Sequence, residues 1–195
     1  MPMAAGGGYP VGLEVDPPAG QSRLTVFFRM LWVLPAFIFL YVLLIVAEVM
    51  ALITWFVIVI TGKLPAGLGD FIANTIHVQA RTSGYMLLLT GKYPPFALGP
   101  AADYPVRAEI TPQYEARNRL TVFFRILMVI PHLIVLSVVG FVAEIVLFIA
   151  WIAALVTGSV PAGMHNFLVG VQRWGLRVAA YEFLLVDAYP PFGFN

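Results

Sequence analysis

Hydrophobic residues along this chain are concentrated in two long runs that are almost free of ionisable side chains. The first run extends from Met30 to Ile60 and the second from Ile126 to Val156. Each contains one acidic residue, Glu48 in the first and Glu144 in the second. Both runs exceed the roughly 20 apolar residues that a transmembrane helix needs, so the pattern predicts one long helix in each.

A proline lies near the start of each run, Pro35 in the first and Pro131 in the second. Proline suits the first turn of a helix, so we expect the uninterrupted helices to begin there. From Pro35 to Ile60 the chain has 26 residues, and at about 1.5 Å each they span roughly 39 Å. Because the hydrocarbon core is about 30 Å thick, one tilted span per run is predicted.

The chain contains an internal tandem repeat. A shift of 96 residues aligns positions 23–96 with 119–192 without a gap, with 32 identities among 74 pairs. An alternating segment precedes each copy, and these segments predict short extramembrane strands at Val11–Val15 and Val106–Ile110, able to pair with each other or with a partner's sheet. We therefore divide the chain into a flexible tail (1–8), a first membrane repeat (9–96), a linker (97–103) and a second membrane repeat (104–195).

Each repeat also holds a second segment, 68–89 or 164–185, that is apolar overall but carries a polar stripe at helical spacing. Such a helix can lie flat at the membrane surface with its stripe in water, or span with the stripe against protein or a water-filled gap. The stripe consists of Asp70, Asn74, His77 and Arg81 in the first repeat and Asn166, Arg173 and Arg177 in the second.

Two arginines flank a short aromatic segment before each long run. These four residues, predicted to anchor the chain at the lipid headgroups, are Arg23, Arg29, Arg119 and Arg125. The positive-inside bias predicts that both segments are cytoplasmic. Both can face the same side only if each repeat crosses an even number of times, which favours two crossings per repeat and four in all.

The acidic residues inside the runs need partners, because an isolated charge at the bilayer centre costs at least about 2.5–3.5 kcal/mol. Glu48 lies 14 residues before Gly62, and Arg81 lies 14 residues after Gly67. A helical hairpin would therefore bring them to one depth, and the second repeat has the same spacing. We predict the intramembrane ion pairs Glu48–Arg81 and Glu144–Arg177, either as fixed structural contacts or as groups that move protons or ions.

Composition narrows the function classes further. The chain is 61% hydrophobic and 11% charged, with a formal net charge of +1 and no cysteine. The charge balance argues against nucleic acid as a partner, and the absence of cysteine excludes thiolate metal sites. The three histidines lack ligand spacing, so no metal or cofactor is predicted within one chain, although a site shared between subunits stays open. No phosphate-loop, zinc-hydrolase or nucleophile-elbow motif occurs, and no enzyme activity is predicted.

Each repeat resembles a family of bacterial inner-membrane proteins known as domain of unknown function number 4389. The resemblance rests on the Tyr-Pro-Val segment, the arginine-flanked segment, the Ala-Glu pair inside the run and the closing Tyr-Pro-Pro-Phe, present in two tandem copies. It implies a multi-pass protein of the bacterial inner membrane and carries no activity with it.

The sequence thus predicts an all-α integral membrane protein of two tandem repeats, each with a long transmembrane helix and a second amphipathic or transmembrane helix, with a short extramembrane strand before each repeat. We expect a non-catalytic scaffold or accessory subunit that binds the lipid bilayer and forms a homo-oligomer or joins a larger membrane complex. Two alternatives remain, a small transporter or channel using the intramembrane Glu and Arg residues, and an interfacial lipid-binding protein.

Overall fold

The computed structural model describes residues 9–194, so the predicted tail at 1–8 lies outside the described residues. The described part is mostly helical. Its elements in chain order are β1 (Val11–Val15), α1 (Arg23–Phe27), α2 (Arg29–Thr61), α3 (Ala66–Met86), β2 (Val106–Ile110), α4 (Arg119–Phe123), α5 (Arg125–Thr157) and α6 (Ala162–Glu182).

The long helices α2 and α5 have 33 residues each and are the two described helices long and apolar enough to cross a membrane, judged by length and composition. They begin at Arg29 and Arg125, so the prediction that they begin at the prolines is wrong; each proline lies inside its helix. Each is the seventh residue of its helix, where a proline loses one backbone hydrogen bond and crowds the carbonyl four residues earlier, a local cost that a helix of 33 residues accommodates. Both helices end at a left-handed glycine, Gly62 or Gly158.

The two predicted strands have the predicted bounds, and they pair with each other. β1 and β2 form an antiparallel ribbon in which Val11 lies opposite Ile110 and Val15 opposite Val106. A lone two-stranded ribbon is marginal in water. This one is stabilised by packing, since β1 lies on α6 and β2 lies on α3.

The repeats exchange contacts rather than folding side by side. The short helix α1 of the first repeat packs on α5, and α4 of the second packs on α2. The Trp151 indole N–H donates to the Val26 carbonyl at 2.9 Å, and the Trp55 indole N–H donates to the Val122 carbonyl at 3.0 Å. Each repeat therefore completes its core with the other.

These reciprocal contacts define a pseudo-two-fold axis between the repeats. The ribbon register is unchanged when the strands are interchanged, so the axis passes through the ribbon centre, beside Leu13 and Ala108. The helices α3 and α6 pack against each other beneath the ribbon, and α2 and α5 pack on α3 and α6 respectively. The molecule is thus layered, with the ribbon outside α3 and α6, and with the long helices in contact with those two helices rather than with the ribbon.

Candidate membrane-facing surface and buried arginines

The long helices expose a broad apolar surface. α2 contacts the rest of the protein along one stripe, whose buried members recur every three, four or seven residues: Arg29, Val33, Ala36, Leu40, Ala47, Thr54 and Ile58. The remaining circumference is exposed. Of the forty exposed large hydrophobic side chains among the described residues, eighteen lie in 24–60 and seventeen in 120–156. Exposed apolar surface of this extent marks a membrane or protein interface.

The two arginine-flanked segments lie at opposite ends of the long helices. Arg23 begins α1, six residues before the start of α2, whereas the Arg119 side chain lies beside Gly62 at the end of α2. The Arg117 N–H also donates to the Gly62 carbonyl at 3.1 Å, and in the equivalent contact of the other repeat the Gln21 N–H donates to the Gly158 carbonyl at 2.8 Å. The helices α2 and α5 therefore run in opposite directions. Helices α3 and α6 are not apolar enough to be candidate spans, so four crossings find no support.

The predicted ion pairs Glu48–Arg81 and Glu144–Arg177 are not formed, and this prediction is wrong. Glu48 and Glu144 are exposed, and neither forms an ion pair within residues 9–194. Counting residues from the turn places Glu48 and Arg81 at the same depth, but it does not say which way each side chain points around its helix. Glu48 follows Ala47, a member of the buried stripe, and one residue turns the side chain by about 100°.

Arg81 instead ties α3 to the linker. It is 1% exposed; its Nε donates to the Pro95 carbonyl at 3.2 Å and its Nη1 to the Gly99 carbonyl at 2.6 Å. The rest of the α3 stripe follows the same side of the helix. Asp70 accepts a hydrogen bond from the Tyr114 hydroxyl at 2.5 Å, and Asn74 lies beside Gly99. The stripe is thus covered by the linker region and the chain around β2.

His77 belongs to the same stripe and lines a small cavity of about 190 Å³ with Arg81 and β2 residues. Desolvation by burial, and then the positive charge of Arg81, lower the pKa of His77 below its ordinary value. The imidazole is therefore held in its neutral form near neutral pH.

The α6 stripe holds strand β1. Arg173 Nη2 donates to the Leu13 carbonyl at 3.2 Å and Arg177 Nε donates to the Val11 carbonyl at 3.2 Å. Asn166, at the start of the same helix, is exposed. The arginines of both stripes therefore bind backbone carbonyls of segments that lie outside the helices.

Two of the four predicted anchor arginines are buried within the protein. Arg29 is 1% exposed and Arg125 is 2% exposed, whereas Arg23 and Arg119 are exposed. Each buried guanidinium lies 3.9 Å from the ring centre of a tyrosine, Tyr85 or Tyr181. Burial and the cation–π contacts hold these two side chains inside the protein. Only Arg23 and Arg119, the first arginine of each segment, are exposed as a headgroup anchor requires.

Sequence reasoning missed Asp187, which joins two buried arginines of the second repeat. Its carboxylate lies 2.7 Å from Arg117 Nη2 and 2.7 Å from Arg125 Nη2, and it accepts a hydrogen bond from the Asn118 N–H at 2.7 Å. Burial acts to raise the pKa of Asp187, but the hydrogen bonds and the charges of the two arginines outweigh it and hold the pKa below its ordinary value. The repeat alignment offered a signal, because Asp187 corresponds to Gly91 and Arg117 to Gln21.

Within residues 9–194 no group of three or more His, Asp or Glu side chains is placed to hold a metal ion. His132 packs in an aromatic cluster, where its Nδ1 accepts a hydrogen bond from the Trp174 indole at 3.2 Å and its ring stacks 3.9 Å from Phe192. His165 lies within hydrogen-bonding distance of the Leu89 carbonyl, at 3.4 Å. Two of the three histidines are thus held inside the protein by separate elements.

Comparison with known proteins identifies the repeat unit. The model of the family described as Domain of unknown function (DUF4389) matches residues 23–97 and again residues 119–193. No curated protein and no solved structure matches the chain.

Proposed function

The chain belongs to the family described as Domain of unknown function (DUF4389), and from that premise and the layered fold we propose a non-catalytic protein of the membrane surface. Its long helices α2 and α5 lie in the plane of one leaflet, and its ribbon projects into water. In this position it acts as a scaffold or accessory subunit, on which a second copy or a larger membrane complex assembles.

One observation carries the proposal, namely that the pseudo-two-fold axis passes through a charged ribbon. Since α2 and α5 run in opposite directions, the axis is perpendicular to them. If they stood upright in the bilayer, the axis would lie in the bilayer midplane and the ribbon with it. The ribbon bears Glu14, Arg107 and Glu109, and Asp16 follows β1 directly; the side chains of Glu14 and Asp16 are 61% and 49% exposed.

The energetics disfavour the upright arrangement. An unpaired charge at the bilayer centre costs at least about 2.5–3.5 kcal/mol. Arg107 pairs with Glu14 and Asp16, but Glu109 forms no ion pair among the described residues, and unpaired strand backbone at that depth costs several kcal/mol more. With the long helices flat, the same axis points along the membrane normal. The ribbon then lies on the aqueous side, the exposed apolar surfaces of α2 and α5 are immersed in the hydrocarbon of that leaflet, and Arg23 and Arg119 both reach the same headgroup layer.

Sidedness labelling tests the proposal, and the absence of native cysteine makes each introduced thiol a specific reporter. Arg23→Cys and Arg119→Cys are reconstituted separately into sealed, oriented vesicles and treated with a membrane-impermeant maleimide. We expect both to react from the same side, the cytoplasmic one by the positive-inside bias. Reaction from opposite sides would mean that the helices cross and would overturn the proposal.

Depth measurements give an independent test along α2. Leu31, Ile45 and Ile60 are exposed near its start, middle and end. Spin labels at these sites should lie at similar depths if the helix is flat, whereas an upright helix would place the middle label deepest. Glu109→Cys serves as the control in the ribbon, where the flat arrangement predicts free access to a water-soluble reagent.

A small transporter is the second candidate, favoured by the opposite directions of α2 and α5. Repeats of inverted orientation around an axis in the membrane plane are typical of transporters, with the binding site near the midplane. In that arrangement the ribbon would line a water-filled space at the centre of an oligomer. Opposite-side labelling at Arg23 and Arg119 would favour it, and solute flux sensitive to Glu48→Gln and Glu144→Gln would establish it.

A further inference from the structure

The cavity beside His77 lies between α3, strand β2 and the linker. His77 and Arg81 of α3 line it from one side, and linker residues 100–102 and the first four residues of β2 complete the wall. Glu14 and Glu109 also line the cavity and are exposed, so it opens to solvent. Its volume is about 190 Å³, and an apolar protein cavity of about 150 Å³ is large enough to bind benzene. The cavity therefore has room for a small molecule.

In the second repeat the equivalent place is filled by an arginine side chain. The repeat alignment pairs His77 with Arg173, and the strand segments pair Ala108 with Leu13. The Arg173 guanidinium lies between β1 and the C-terminal segment, where Nη2 donates to the Leu13 carbonyl at 3.2 Å and Nη1 to the Phe194 carbonyl at 2.9 Å. The same alignment places Phe194 opposite position 98 of the linker. The first repeat has a cavity where the second holds a guanidinium.

The backbone acceptor that Arg173 uses has a free counterpart at this cavity. Just beyond the paired strands, the Asp16 N–H donates to the Pro105 carbonyl at 2.9 Å. Because hydrogen-bonded pairs alternate along an antiparallel ladder, the Leu13–Ala108 pair is not hydrogen-bonded, and both carbonyls point away from the ribbon. The Leu13 carbonyl accepts from Arg173, whereas no group within residues 9–194 donates to the Ala108 carbonyl. A donor in the cavity would therefore find an acceptor in place.

The charges of the ribbon beside the cavity favour a cation. Arg107 is paired with both Glu14 and Asp16, whereas Glu109 forms no ion pair among the described residues. Three carboxylates thus surround one guanidinium at this part of the ribbon. A cation that entered the cavity would compensate Glu109.

Arg81 also lines the cavity, but it does not provide an anion site. Its Nε and Nη1 donate to backbone carbonyls, and its Nη2 is shielded from solvent, so an anion cannot reach it. Nor does its charge exclude a second cation nearby. In the second repeat its counterpart Arg177 lies close to Arg173, since burial, and then the charge of Arg173, lower the pKa of Arg177. The repeat unit therefore accommodates two cations at this place.

We propose that this cavity binds a small organic cation that carries a guanidinium group. The guanidinium takes the place that Arg173 takes in the second repeat, donating to the Ala108 carbonyl, and Glu109 balances its charge. A guanidinium presents N–H donors in a fixed planar fork, so the site selects it over a quaternary ammonium, which has no donor. The inference goes beyond the proposed function and does not depend on it, because the cavity lies at the ribbon rather than at α2 or α5.

The experiment titrates ethylguanidinium into the full-length protein in mild detergent and follows binding by isothermal titration calorimetry. We expect one saturable site per chain, with a dissociation constant on the order of 1 mM for so small a ligand. Tetramethylammonium tests charge without hydrogen-bond donors, and acetate tests anion binding; neither should bind. Absence of ethylguanidinium binding, equal binding of the two cations, or binding of acetate instead would overturn the inference.

Two variants and a matched control assign the binding to this cavity. His77→Arg supplies a guanidinium from the chain itself, as in the second repeat, and should abolish binding without lowering the unfolding temperature. Glu109→Gln should weaken binding roughly tenfold, as for loss of one charge-assisted hydrogen bond. Asp103→Asn removes an exposed carboxylate of the linker that does not line the cavity, and should leave binding unchanged.

Each outcome of this set bears on the inference. Unchanged binding in His77→Arg, or equal weakening in Glu109→Gln and Asp103→Asn, would overturn it. If His77→Arg proves less stable than the wild type, the comparison of the two carboxylate variants decides alone.

Discussion

Replacing Asp187 with asparagine should destabilise the protein more than loss of any exposed ion pair. The substitution keeps the size of the side chain and removes the carboxylate that lies 2.7 Å from both Arg117 and Arg125. Those two arginine side chains are 0% and 2% exposed, and Asp187 is 13% exposed. The asparagine variant therefore leaves two buried like charges close together without a counter-ion.

The expected loss is about 3–5 kcal/mol, the usual cost of removing one partner from a buried ionic group. This is a large fraction of the roughly 5–15 kcal/mol that stabilises a typical protein. Glu115→Gln provides the matched control, because Glu115 pairs with Lys63 at 3.0 Å while their side chains are 69% and 65% exposed. An exposed pair contributes at most about 1 kcal/mol.

Unfolding of both variants is followed by tryptophan fluorescence in mild detergent, as a function of denaturant and of pH. Because the folded-state pKa of Asp187 lies below its ordinary value, its stabilising effect is complete above the unfolded pKa, about 3.9. The effect is lost as pH falls through the folded pKa. Asp187→Asn should thus be less stable at neutral pH and less sensitive to acid. If it loses no more stability than Glu115→Gln, the assignment of Asp187 as a buried counter-ion is refuted.

Three further predictions concern the packing between elements. Trp151→Phe should cost about 1 kcal/mol through the lost indole hydrogen bond to α1, measured by chemical denaturation; no loss would show that α1 is not held by this bond. Gly84→Ala should destabilise the protein by roughly 1–3 kcal/mol, because a Cβ at this position would lie 2.8 Å from a valine of β2. Gly175→Ala is the control: a Cβ there meets open space, so the helix should gain up to about 1 kcal/mol of stability. Equal melting temperatures of the two variants would contradict this. Burial, and then a neighbouring arginine, lower the pKa of His77. The contribution of the neutral imidazole to stability is therefore present above the unfolded pKa, about 6.5, and is lost as pH falls below it. His77→Gln should flatten the dependence of stability on pH between about pH 7 and 5.

Much of the architecture could be predicted because it follows from local patterns. The alternation of hydrophobic and polar residues predicted both strands with their observed bounds. The apolar runs predicted the long helices to within a few residues at each end. Because the sequence repeats, a contact seen in one repeat indicates the equivalent contact in the other. The contact of Arg29 with Tyr85 and that of Arg125 with Tyr181 are such a pair.

The site contacts could not be predicted, for two physical reasons. Arg81 and Arg177 bind backbone carbonyls, which every residue carries and which leave no trace in residue type. The pairing of Glu48 with Arg81 assumed that equal depth implies contact, whereas the buried stripe that includes Ala47 places Glu48 on the outer face of α2. The buried stripe of α2 could have been recognised in the sequence, because small residues such as Ala36, Ala47 and Thr54 recur along it among larger ones.

The exchange of α1 and α4 between the repeats has a consequence during synthesis. When the first repeat has left the ribosome, α6, which supports β1, and α5, which packs on α1, do not yet exist. At about 5–20 residues per second, the 96-residue offset between the repeats means a wait of roughly 5–20 s. During that interval a long apolar helix and an unpaired strand are both unprotected, so the nascent chain depends on the membrane or on a chaperone until its second half arrives.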